Sequence, residues 1–173
     1  MTQHPGGEAL TKRLLALAKL DPCKILDMGA GEGKTVSLLR SLGFDVIGID
    51  KAAGGGIMQG DFLNCPFSDG SFDAVISECV FYVSGSPEKA LAEAYRLLKQ
   101  GGKLLLSDVF FGSMDEAKAQ IEKTGFRIRA FCDETEEWKK YFIECIWNGT
   151  ADALCDLAKG RTCGYYLAIC ERT

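Results

Sequence analysis

Apolar residues recur along this chain in two alternating rhythms. From Glu8 to Leu20 they fall at Leu10, Leu14, Leu15, Leu17 and Leu20, one face of a helix that Pro22 helps to stop. A short run from Lys24 to Leu26 then reads as a buried strand, and Val36, Leu38, Leu39 and Leu42 form the apolar face of a second helix, closed by Gly43. Phe44 to Asp50 is a second strand, Ile57 to Gly60 a brief third one near an edge, and Asp73 to Cys79 a central fourth. Ser86 as N-cap and Pro87 at the first helical position open a helix that runs to Gln100, with Gly101 and Gly102 after it. Its apolar face is Ala90, Leu91, Ala94, Leu97 and Leu98, and Lys103 to Asp108 follows as a fifth strand. The pattern then predicts a helix over 113–124, a strand over 126–132, a helix over 136–159 broken at Asn148-Gly149, and a last strand over 164–170. Trp138, Tyr141, Phe142, Ile146, Trp147 and Leu154 are the core-facing side of that long helix. Strands alternating with helices predict an α/β fold with a mostly parallel, doubly wound sheet of seven strands.

One connection breaks the rhythm. Lys51 to Ile57 is too short for a crossover helix, which ordinarily takes a dozen or more residues. A glycine-rich loop must serve instead, and it leaves that side of the sheet open.

Length and composition set the frame. The 173 residues suit one domain over 1–173, with 1–22 as an N-terminal arm and cap helix. Apolar content of 47% excludes a disordered chain, and no apolar run reaches the ~18 residues of a membrane span. The N-terminus shows no secretory pattern. A net charge of −4 argues against a nucleic-acid surface. None of the eight cysteines has C-x-x-C spacing, so no zinc knuckle or thioredoxin motif is present, and no metal site is expected. Free thiols in a reducing cytoplasm are the expectation. The single histidine, His4, lies in the arm between residues 4 and 7, which reads as flexible, and has no catalytic role in this reading.

The chemistry-bearing stretch lies between the first strand and the second helix. Asp27 is followed by Gly29, Gly31 and Gly33, and strand, glycine turn and helix together make a nucleotide-binding crevice. A dinucleotide fingerprint would be G-x-G-x-x-G; here the third glycine comes one residue early, and Lys34 stands where that glycine would be. Asp50, 17 positions beyond Gly33, ends the second strand, where a carboxylate can accept the hydroxyls of a ribose.

The Asp27–Gly33 pattern, D-x-G-x-G-x-G, resembles motif I of class I S-adenosylmethionine-dependent methyltransferases. Three further stretches resemble that family: Gly60-Asp61-Phe62, the segment from Cys65 to Asp73, and the block "ALAEAYRLLKQGGKLLLSD" with Gln100 in place of a proline. The likeness is good over about residues 24–108 and is strongest, around "ISECVFYV", to arsenite methyltransferases and a group of small, UbiE-like enzymes. It implies a Rossmann-like methyltransferase fold with an antiparallel last strand. It also implies S-adenosylmethionine as cofactor, held by Asp27, Gly29, Ala30, Gly31, Gly33, Asp50, Lys51, Asp61, Phe62 and Glu78. Asp61 would sit beside the adenine amino group, and the Phe62 backbone N–H against the ring.

The end of the fourth strand, with Ser77, Glu78, Cys79, Phe81 and Tyr82, faces the same crevice. Cys79 and Tyr82 are the candidates to touch a small-molecule methyl acceptor. The Asn/Asp-Pro-Pro-aromatic motif of DNA amino-methyltransferases is replaced by Glu78-Cys-Val-Phe81, which speaks against nucleic acid as acceptor. Two alternatives stand beside methyl transfer to a small molecule. One is a metalloid acceptor bound by Cys79 with other thiolates, a cysteine at this position being shared with the arsenite enzymes. The other is a module that binds the cofactor without catalysis. Acceptor and oligomeric state are not written in the sequence.

Overall fold

The computed structural model describes residues 4–52, 54–150 and 161–173. Seven strands form one sheet: β1 (Lys24–Met28), β2 (Asp45–Asp50), β3 (Met58–Gln59), β4 (Phe72–Glu78), β5 (Leu98–Phe111), β6 (Phe126–Asp133) and β7 (Cys163–Arg172). Their order is β3-β2-β1-β4-β5-β7-β6. The first five run parallel, and β7 lies antiparallel between β5 and β6. This is the doubly wound sheet the alternation predicts. β1 and β4 are sequence-distant neighbours at the point where the order reverses, which is where open α/β sheets bind ligands.

Both faces of the sheet are covered. Successive residues on each central strand point to opposite sides, and both are apolar, as a parallel sheet buried on two faces requires. Leu26, Val75 and Leu104 pack with helices α3 (Pro87–Leu97) and α4 (Met114–Lys123). Ile25, Ala74 and Leu105 pack with α1 (Gly7–Ala18), α2 (Lys34–Ser41) and α5 (Thr135–Trp147). A capping box, Ser113 with Glu116, opens α4. No helix among the described residues is long and apolar enough to cross a membrane.

Several boundaries differ from the sequence reading for identifiable reasons. The helix expected to reach Gln100 stops at Leu97, because Leu98 turns into the sheet and pairs with Phe72. The Arg96 and Leu98 carbonyls are taken by Arg172, which a helical continuation would exclude. β5 is correspondingly longer than 103–108. α1 ends at Ala18 rather than Leu20, with Lys19 left-handed at φ 48°. α5 ends at Trp147, and the expected extension over 151–159, with Leu154 and Cys155, lies outside the described residues. Among its described residues the short β2–β3 connection holds no helix; Ile57 N–H bonds back to the Gly54 carbonyl in a tight turn, and β3 is a two-residue edge strand. Residues 4–7, expected as a loose arm, form a turn in which Gly7 N–H reaches the His4 carbonyl at 3.1 Å.

Candidate functional site

The glycine turn starts at Gly29, directly after β1, and is pinned to β2. The Ile49 carbonyl accepts from both Gly29 N–H at 2.9 Å and Ala30 N–H at 3.1 Å. Gly29 has φ 83°, and a Cβ there would fall inside the Val80 side chain, so only glycine lets the β1 turn and the β4 turn meet. Gly31, at φ 52°, faces open space, which leaves its backbone accessible from the crevice. Its N–H donates to Asp50 Oδ2 at 2.9 Å, and Ala52 N–H donates to Asp50 Oδ1 at 2.9 Å. The Asp50 carboxylate is thereby fixed beside the glycines, and each oxygen keeps a lone pair for a further donor.

A cleft of about 370 Å³ opens here, lined by His4, Asp27, Gly29, Ala30, Gly31, Thr35, Glu78, Cys79, Val80, Val83 and Tyr141. Asp27 sits within β1 rather than after it, 3% exposed. Its Oδ2 is buried and has no hydrogen-bond partner. Burial first, and the neighbouring Glu78 and Asp50 carboxylates next, push its pKa well above the usual carboxylate range. Glu78, at the end of β4, is held by two threonines: Thr11 on α1 donates to Oε1 at 2.9 Å and Thr35 on α2 to Oε2 at 2.8 Å. His4 Nε2 stands 3.7 Å from Glu78 Oε2. The cleft therefore concentrates carboxyl groups around a floor of backbone amides. It suits a ligand with a cationic group near Asp27 and a polyhydroxylated group near Asp50.

Cys79 follows with φ 61°, one of two described non-glycine residues in the left-handed region, and its N–H bonds the Ser107 carbonyl at 2.7 Å. Cys79 lines the cleft, and burial first, with the Asp108 and Glu78 carboxylates next, pushes its thiol pKa up, so the thiolate is not the resting form. Among the described residues, no three His, Cys, Asp or Glu side chains converge as a metal site, and the seven described cysteines are unpaired. Asp61 is exposed, with Leu63 N–H on its Oδ1 at 2.9 Å and Lys51 Nζ 3.9 Å from its Oδ2. Both stand on the open side left by the short β2–β3 loop. Gly33 is the left-handed N-cap of α2.

Other expected lining residues turn away. Ser77 is fully buried, its hydroxyl on the Met28 carbonyl at 2.9 Å, where it ties β4 to β1. Phe81 is core, stacked on the buried Phe62 with ring centroids 6.3 Å apart, which leaves the Phe62 backbone as its only route to a ligand. Tyr82 lines a neighbouring hollow, against Phe111 at 4.6 Å. Its N–H is held by Asp108 Oδ2 at 2.9 Å. Asp108 is buried, and burial pushes its pKa up to about 7 against the lowering effect of the backbone donors.

Sequence reasoning missed Thr11, Thr35, Asp108 and the approach of His4, and it reads Tyr141 as core by default, with a substrate-binding role only as the lesser reading. Thr11 carried a signal: it is a polar residue among the apolar positions of α1, and it is 1% exposed. Thr35 carried another, one residue into the helix that leaves the glycine turn.

An acidic, glycine-floored cleft at the switch point of a 3-2-1-4-5-7-6 sheet defines the class I methyltransferase architecture. Residues 26–106 match the methyltransferase domain family, and this match, the similar proteins and the fold support a class I S-adenosylmethionine-dependent methyltransferase. An arsenite methyltransferase of Aquipseudomonas alcaligenes is 34% identical over 124 residues, 56% of this chain and 36% of that protein. A demethylmenaquinone methyltransferase of Thermus thermophilus is 38% identical over 109 residues, 53% of this chain and 49% of that protein. The match thus spans about half or less of these relatives' length. Among solved structures, phosphoethanolamine N-methyltransferase 2 of Haemonchus contortus, in complex with phosphomonomethylethanolamine and S-adenosylhomocysteine, shares the fold. Its TM-score is 0.78 at 19% identity, covering 98% of this chain and 53% of that one.

Proposed function

We propose that the chain binds S-adenosylmethionine in the cleft and transfers its methyl group to a small-molecule acceptor. The observation that carries this reading is the orphaned, buried Asp27 oxygen beside the exposed backbone of Gly31. A buried carboxyl with an unused oxygen is costly unless a partner arrives, and a ligand ammonium is such a partner. Asp50 would take the ribose hydroxyls, the Phe62 N–H and Asp61 the adenine edge, and Ala30, Gly33 and Lys51 the rim. Glu78, steadied by Thr11 and Thr35, adds negative potential toward a positively charged ligand.

The cofactor supplies a methyl group on a sulfonium, an intrinsically good leaving group. The protein's part is to hold the acceptor in line and exclude water, for which Val80, Cys79 and Tyr141 form the apolar wall. Cys79 is a wall residue in this reading and a metalloid ligand only if a partner thiolate joins it. The net charge of −4 supports a small acceptor over nucleic acid, and unpaired cysteines support a reducing cytoplasm.

Titration calorimetry tests the reading. S-adenosylhomocysteine should bind the wild type, and Asp50→Ala should lose about 1–3 kcal/mol of affinity, the worth of a buried hydrogen-bonding group. No heat with either the methylated or the demethylated ligand refutes it. Binding with no turnover on any acceptor would favour a non-catalytic module instead.

A further inference from the structure

Beside the cleft lies a second hollow of about 570 Å³, lined by Tyr82, Val83, Gly85, Pro87, Glu88, Phe111, Gln120 and Arg161. Val83 lines both spaces, and it is 56% exposed. The two are therefore adjoining rooms with one apolar side chain as the sill between them. Tyr82, Pro87, Phe111 and Gln120 continue downward into a smaller chamber of about 100 Å³, walled by Phe81, Leu91, Leu106 and Phe110. The hollow thus has an aromatic wall, and the chamber below it mixes apolar side chains with Asp108 and Glu116.

Its cation is placed for recognition. Arg161 lies over Phe111, with Cζ 5.1 Å from the ring centroid, and donates one N–H to the Tyr82 hydroxyl at 3.2 Å. These contacts hold the guanidinium at the mouth and leave donors unused. Arg161 makes no ion pair among the described residues, although Glu88 lines the same hollow and Glu116 the chamber below. Glu116 is occupied by the Ser113 cap. A guanidinium over an aromatic face, with no carboxylate partner among the described residues, is a ready fork for a ligand carboxylate or phosphate.

We propose that this hollow is the acceptor site and that it selects a small, flat or apolar molecule carrying one anionic group. The body lies on Tyr82 and Phe111, the anion is gripped by Arg161, and the far end passes Val83 toward the cleft. This rests on the methyltransferase reading for its chemistry, but not for the site itself.

The test uses 2-naphthoate and its neutral counterpart 2-naphthamide as probes, with S-adenosylhomocysteine titrated separately on the same proteins. Wild type should bind the acid about ten-fold more tightly than the amide, the size of one charge-assisted hydrogen-bonded contact. Arg161→Gln should erase that preference and leave S-adenosylhomocysteine affinity and the unfolding midpoint unchanged. Phe111→Leu should weaken acid and amide alike. Equal binding of the two probes by wild type, or an acid preference that survives Arg161→Gln, overturns the site. An Arg161-dependent preference in a protein that ignores S-adenosylhomocysteine would uphold the site and overturn the methyltransferase reading.

Discussion

Asp108 gives the most quantitative expectation. Its side chain is 2% exposed and accepts the backbone N–H groups of Tyr82 and Val109 at 2.9 and 2.8 Å. Burial moves its pKa from 3.8 to about 7. A carboxyl whose folded pKa is raised binds more protons folded than unfolded between those values. Stability is therefore greatest at the acid end and falls as pH rises through that window. Each tenfold change in proton affinity is worth about 1.4 kcal/mol, so the loss from this group between about pH 5 and about pH 8 is about 2.5 kcal/mol. Asp108→Asn keeps the shape and cannot titrate. It misplaces one donor against a backbone N–H, at a cost of about 1–3 kcal/mol that does not vary with pH. Urea unfolding of both proteins at about pH 5 and about pH 8 isolates the effect, since the other raised carboxyl, Asp27, is common to both. The wild type's advantage over the variant should shrink by about 2.5 kcal/mol across that interval. Parallel pH profiles would refute the argument that an uncompensated charge is buried beneath Tyr82.

Three further outcomes follow from the cleft. Asp27→Asn should weaken S-adenosylmethionine binding by about ten-fold or more in titration calorimetry, because its unpartnered Oδ2 is then lost as an acceptor for the ligand ammonium. Gly31→Ala should fold with a stability loss of about 1 kcal/mol, because its φ of 52° disfavours a side chain while no atom obstructs it, yet lose ligand affinity as the Cβ enters the crevice. Thr35→Val should cost about 1–3 kcal/mol of stability by stripping a donor from Glu78, measured by urea unfolding; an unchanged midpoint would mean that the pair adds nothing.

Much of this was readable in the residues, for physical reasons. Ile25 and Leu26 fill both faces of a central parallel strand, so hydrophobicity alone marked it. The glycine turn was legible because left-handed backbone and close approach leave few other residue choices. Asp50 beside Gly31 followed from its place at the end of β2. What escaped depends on contacts between distant elements. Nothing local says that Leu98 would abandon a helical face to pair with Phe72. His4, at the far end of the chain, reaches Glu78 only because α1 packs over the sheet. Tyr82, expected to touch the acceptor, lines the hollow beside the cleft against Phe111, and that hollow is shaped by elements far apart in the chain.

Cys79 holds a backbone shape that favours glycine, at φ 61° on the rim of the crevice. A side chain there forfeits about 1–2 kcal/mol relative to an unsubstituted residue. Exchange for glycine would relieve that torsion while surrendering some packing, two changes of opposite sign. The sulfur can thus be taken from the wall without the fold collapsing around its loss, and any change in reactivity would report on the sulfur itself.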